Sequence, residues 1–276
     1  MDQYEHDLAS QLERISQAIR ARGLGAYEET LLARRQPTLK ITMDPADILP
    51  IGCSKFGGKP DLPPDFVYPR YTKDDILFAQ GSPLTFLVQY RLKDFAPFVF
   101  ARELLPPDGM LYFFGLGDES GEIYYNYEDS GRVIYWQGDV TTLRPYDPGE
   151  EVYTYKQAAL KFEPTWSLGL HLLDGYYGTK RAEATGESRL ADENLDFLER
   201  FDELNHRALG LPTIQQPSDV MEDEEQMKRL VLLLQLDYAP DLGLGLGDAG
   251  TIYFLVPAKD LRERVFENIW FEGACG

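Results

Sequence analysis

Residues 242–256 read LGLGLGDAGTIYFLV, and within them Gly245, Gly247 and Gly250 satisfy G-x-G-x-x-G, the spacing of a dinucleotide-binding loop. That chemistry needs a helix directly after the loop, because the helix N-terminus supplies the amides that meet a pyrophosphate. Here Thr251, Ile252, Tyr253, Phe254, Leu255 and Val256 follow, a β-branched and aromatic run that favours a strand. Asp248 also places a negative charge inside the loop. The sequence therefore predicts a glycine-permitted turn between strands, with no nucleotide and no other cofactor. A P-loop is excluded because no G-K-[ST] follows a glycine-rich stretch.

Other reactive residue types are sparse. The histidines are His6, His171 and His206, with no His pair at helical spacing and no C-x-x-C, so no metal site is expected. The acidic clusters at 219–226 and 126–131 lack EF-hand spacing. The first reads as a solvated helix start, with weak calcium binding left open. No G-x-S-x-G elbow occurs, and Cys53 could act with His206 only if the fold brought them within hydrogen-bond reach. We assign no catalytic residue. Two glutamines carry more information. Gln89 in TFLVQYRL and Gln235 in VLLLQLDY each sit where a strand face changes from apolar to charged. A buried amide costs about 1–3 kcal/mol unless it is hydrogen-bonded. Either these two tie down neighbouring backbone or each other, or they line the mouth of a cleft with Lys55, His206, Gln215 and Asp248 as candidate binding residues.

The elements that must position these residues follow from periodicity. Leu8, Leu12, Ile15 and Ile19 form one helical stripe ending near Gly23, and a short helix spans about 27–35 before Pro37. The prolines and glycines of 51–71 rule out a long helix there. Strand texture covers 84–92, 109–116, 122–127, 132–137 and 151–156, then 230–238, 250–257 and 264–272. Between these sets, Leu190, Leu195, Leu198, Phe201 and Leu204 approximate a linking helix. Aligning Gln89 with Gln235 brings Gly109 onto Gly250, Tyr112 onto Tyr253 and Phe113 onto Phe254. We read this as an internal duplication, with chance likeness of two aromatic strands as the alternative. The expected fold is α+β: two related antiparallel β-meander halves, an N-terminal helical segment and a linking helix. The expected segments are 1–45, 46–165 and 166–276, within one compact domain.

The chain has 276 residues and a net charge of −19, from 46 acidic and 27 basic residues. That field repels phosphate backbones, which argues against nucleic acid and for a basic protein partner. Two cysteines, no signal-peptide pattern and no apolar run long enough to span a bilayer lead us to expect a cytoplasmic protein without membrane insertion.

Several stretches together resemble the YwqG-like family, a bacterial family whose biochemical role is generally unassigned. They are SKFGGKPDLP (54–63), PLTFLVQYRL, GMLYFFGLGD, HRALGLPTIQ (206–215), LLLQLD and GDAGTIYFLV. The family often has Trp before the Gly-Asp pair, where this chain has Leu246. The resemblance implies a mixed α/β-meander fold with internal duplication and carries over no catalytic residues. Two functions are expected from these readings. One is a non-enzymatic protein-binding module, in a specific version an immunity protein masking a basic toxin surface. The alternative is a small-ligand-binding protein or cryptic hydrolase using a cleft between the halves.

Overall fold

Strands account for most of the regular structure, as the density of Tyr, Phe, Val and Ile between turn residues demands. The structure is a computed structural model describing residues 3–125, 127–149, 151–170, 192–202, 206–214, 224–247 and 249–274. In chain order the elements are α1 (Gln3–Ala21), α2 (Glu28–Ala33), β1 (Gln36–Pro45), β2 (Lys55–Phe56), β3 (Asp61–Leu62), β4 (Thr85–Arg91) and α3 (Val99–Leu104). Next come β5 (Met110–Gly117), β6 (Ile123–Tyr124), β7 (Gly131–Trp136), β8 (Arg144–Pro145) and β9 (Ala158–Ser167). The remainder is α4 (Asp192–Glu199), β10 (Arg207–Ala208), α5 (Glu224–Met227), β11 (Leu230–Asp237), β12 (Thr251–Pro257), α6 (Ala258–Arg262) and β13 (Trp270–Ala274). The expected α+β class holds.

Among the described residues, eleven strands form one antiparallel sheet in the order β13-β12-β11-β10-β1-β9-β2-β4-β5-β6, with β7 also beside β5; β3 and β8 pair separately. At the centre, β1 and β9 run antiparallel in unbroken register from Gln36 opposite Ser167 to Pro45 opposite Ala158. Each central strand then pairs with the half remote from it in sequence. β1 precedes β2 in the chain but pairs with β10, whereas β9 precedes β10 but pairs with β2. The two halves are therefore laced together through the backbone.

The expected strands near 84–92, 109–116, 132–137, 230–238 and 250–257 are present, whereas only Ile123–Tyr124 and Trp270–Ala274 form within or near two others. No strand covers 151–156; β9 begins just after it. Neither β1 nor β9 was anticipated, because Pro37, Pro45 and Pro164 disguise them. A proline lacks a ladder donor and is tolerated where one strand edge is uncovered. β9 meets that condition, since β2 covers its outer edge only at Ala158 and Ala159.

The main core lies between the halves, where Leu39, Phe56, Tyr90, Phe113, Leu234 and Phe254 are all buried. Phe113 of β5 meets Phe254 of β12 edge-on at 5.3 Å, so the sheet curls until its two flanks touch. The predicted N-terminal stripe packs on its own protein. Ile15 and Ile19 join Leu31, Leu168 and Leu198 in a separate cluster, and Trp166 Nε1 donates to Leu8 O at 2.8 Å. Of the expected linking-helix residues, Leu190 and Leu204 lie outside the described residues, while Leu198 and Phe201 are placed in packing.

Candidate functional site

Gln89 is fully buried in β4, directly opposite Lys55 of β2 on one side and Tyr112 of β5 on the other. Its Oε1 accepts from Asp61 N at 2.9 Å, and its Nε2 donates to Cys53 O and to Asp61 Oδ2, both at 2.8 Å. Tyr112 donates its hydroxyl to Asp61 O at 2.7 Å. Lys55 Nζ lies 3.0 Å from Asp61 Oδ2, with both side chains almost wholly buried. Gly52 N donates to that same carboxylate oxygen at 2.9 Å. The loop 52–61 is thus fastened to the outer face of the sheet by an internal ion pair and an amide. Its route needs Gly57, whose φ is +60° and whose missing Cβ would stand 2.6 Å from Lys156 O.

The second half repeats this arrangement with other residues. Gln235 of β11 lies between Arg207 of β10 and Tyr253 of β12. Its Oε1 accepts from Thr213 N at 2.9 Å, and Tyr253 donates its hydroxyl to Thr213 O at 2.8 Å. Thr213 therefore stands where Asp61 stands, and Arg207 where Lys55 stands. Ser54 Oγ accepts from Arg91 N at 2.8 Å, and His206 Nδ1 accepts from Asp237 N at 3.1 Å in the corresponding place. The register of β4 with β5 slips between Phe86 and Val88, and that of β11 with β12 between Leu232 and Leu234. Each slip falls just before its glutamine and breaks simple alternation. Leu87 and Leu233 consequently sit in the main core with Val88 and Leu234. Leu209, at φ +64°, occupies the left-handed turn that Gly57 occupies in the first half.

The compensating charge differs between halves. Arg207 pairs with Asp202 at 3.1 Å and donates to Leu211 O at 2.9 Å, to Asp202 O at 2.7 Å and to Thr213 Oγ1. Burial pushes the Asp202 carboxyl up, and Arg207 beside it offsets part of that shift. Burial also pushes His206 down to about 4, so its Nδ1 lone pair is free to accept the Asp237 amide.

Of the candidate residues, Lys55 is brought to Gln89, and His206 is placed two residues of ladder from Gln235. These are two separate groups, with β1 and β9 between β2 and β10. Gln215 and Asp248 lie outside the described residues, as do His171, Cys275 and most of 219–226. Cys53 is half-buried, and burial raises its thiol, which disfavours the thiolate a nucleophile needs. Asp61, Arg207 and Asp202 were not singled out from the sequence. Aligning SKFGGKPDL with HRALGLPTI would have given Arg207 as the counterpart of Lys55.

The glycine loop leads into β12, as expected, not into a helix. Its anion is internal: Glu122 Oε1 of the first half accepts from Gly247 N at 2.6 Å. Near this seam a surface groove of about 760 Å³ opens between the β6–β7 connection and β13. Glu128 and Asp129 line it from one side, paired with Lys73 at 2.8 Å and Arg132 at 2.7 Å, and Glu267 and Glu272 line it from the other, with Tyr125 and Trp270 among the rings. Ser130 also lines it, and its buried hydroxyl has no hydrogen-bond partner among the described residues. Among the described residues no group of three or more His, Cys, Asp or Glu could hold a metal ion. Among them, too, no helix is long and apolar enough to cross a membrane.

A curled antiparallel sheet with two internally saturated polar clusters and open surface grooves defines the class. The chain belongs to the family described as a domain of unknown function, DUF1963, whose family model matches residues 54–275. None of the curated proteins matches it.

Proposed function

We propose that this protein is a non-enzymatic interaction module that takes a basic segment of a protein partner into the acidic groove between its halves. The observation that carries this reading is the groove's lining: four carboxylates drawn from both halves against one lysine, Lys73, with Glu128 and Asp129 already ion-paired and Glu267 and Glu272 facing them, set beside Trp270 and two tyrosines. Carboxylates beside exposed aromatic faces suit Arg and Lys side chains through ion pairing and cation–π contact. The net charge of −19 would steer such a partner over a longer range. The buried positions of Lys55, Gln89 and Gln235, each already bonded or paired, weigh against the alternative of a ligand site or hydrolase built on them. The matched hydrogen bonds around Asp61 and Thr213 support an internal duplication, and the motifs quoted above support the narrower YwqG-like assignment. An immunity protein masking a basic toxin surface in the cytoplasm is the specific form of this reading.

The test is titration of the full chain with a hexa-arginine peptide at 50 and 300 mM salt. Saturable binding should weaken with salt and fall at least about tenfold in Glu128→Gln/Glu267→Gln, with melting temperature unchanged. Equal binding by the well-folded double variant would sink the proposal.

A further inference from the structure

The acidic groove has a neighbour of opposite sign. Lys228 and Arg229 end the turn between α5 and β11, and Lys259 and Arg262 lie on α6 directly after β12. The β11–β12 pairing brings these stretches together, with Leu230 opposite Pro257. Ala258 N donating to Arg229 O at 2.8 Å fastens them. The four cations line a cavity of about 700 Å³ in which Glu225 is the one lining carboxylate. Glu225 engages Lys228 at 2.8 Å, and Lys259 lies 3.9 Å from Asp260. Among the described residues neither guanidinium, of Arg229 or of Arg262, has a carboxylate partner.

In a chain with 46 acidic residues, four cations around one cavity is a local reversal of charge, and among the described residues only Lys228 is paired by a carboxylate of the lining. A polyanion would meet the net field of −19, whereas a small anion within a Debye length of about 8 Å responds to the local cations. Two unengaged guanidiniums offer the planar forks that match phosphate oxygens. Apart from Gln226, the remaining lining, Leu230, Pro257, Ala258 and the Trp270 ring, is apolar and suits a non-polar body rather than a bare ion.

We propose that this pocket binds a small organic phosphate: a phosphomonoester carried on an apolar or aromatic body, with Arg229 and Arg262 on the phosphate and Trp270 against the body. The chemistry could come from a free metabolite or a lipid headgroup, and the test separates them. The full chain is titrated with phenyl phosphate and with inorganic phosphate at 50 mM salt, and in parallel with vesicles containing phosphatidic acid. Saturable binding of phenyl phosphate, tighter than inorganic phosphate and weakened at least about tenfold in Arg229→Gln/Arg262→Gln, is the expected result. Binding to vesicles that the double variant loses, with none of the soluble ester, assigns the same phosphate chemistry to a lipid. No saturable binding of either probe overturns the proposal. So does undiminished binding by a double variant that melts like the parent. Neither arginine touches the acidic groove, so this result and the peptide titration fail independently.

Discussion

Replacing Gln89 by Leu removes an amide that is wholly out of water and makes three hydrogen bonds. The Asp61 carboxylate would survive the loss, because Lys55 Nζ and Gly52 N still hold it at 3.0 and 2.9 Å. Asp61 N and Cys53 O would lose the partner that Gln89 supplies. An unsatisfied buried polar group costs about 1–3 kcal/mol, and Leu is close enough in volume that cavity terms are small, so the two groups give an expected loss of about 2–6 kcal/mol. An unfolding entropy of about 2.1 cal/mol/K per residue over 276 residues gives roughly 0.6 kcal/mol/K, hence a fall in melting temperature of roughly 3–10 °C. Differential scanning calorimetry reads this directly. Hexa-arginine affinity, measured below the transition, should stay within about twofold of the parent, since Gln89 does not line the groove. A melting temperature within about 1 °C of the parent would refute the accounting, and so would lost peptide binding in a variant of unchanged stability.

Two further perturbations test the frame. His206 is the pH-sensitive part: the unfolded imidazole protonates near 6.5, whereas burial holds the folded one down to about 4. The unfolded chain therefore binds the extra proton as pH falls through that window, and stability should drop by up to about 3 kcal/mol between pH 6.5 and 4. His206→Ser, which installs the residue found at position 54, should flatten that part of a urea-denaturation pH series. Asp237, whose carboxyl burial raises, titrates in both proteins and leaves the comparison intact; parallel pH profiles would contradict the assignment. Gly57→Ala puts a Cβ 2.6 Å from Lys156 O at φ +60° and should cost at least about 2 kcal/mol by chemical denaturation. A neutral result would mean that the loop shifts freely.

The sheet's flanking strands could be read from the sequence because their apolar runs are dense and bounded by turn residues. The helical stripe Leu8, Ile15 and Ile19 was equally plain. The two central strands were hidden by prolines at their ends and in β9, and by charged residues such as Lys40 and Lys161. Partner coverage makes those residues tolerable, and it is invisible before the topology is known. The glutamines were recognised as unusual from their position between apolar and charged neighbours. Their partners were not, since Asp61 lies 28 residues away and its role depends on a loop folding back over the sheet. The acidic groove is assembled from residues more than a hundred positions apart, with no spacing signal to join them.

The lacing of β1 and β9 has a consequence for biosynthesis. When β1 leaves the ribosome, its long partner β9 is still more than a hundred residues from being made. At 5–20 residues per second that wait is roughly 6–20 s, and β10 comes later still. The first strand must therefore stay unpaired, or be shielded by a chaperone, through a large part of translation. A chain cut between β8 and β9 would leave each fragment lacking the strand that borders its own sheet. The fragments should regain structure only when mixed, as a complementing pair.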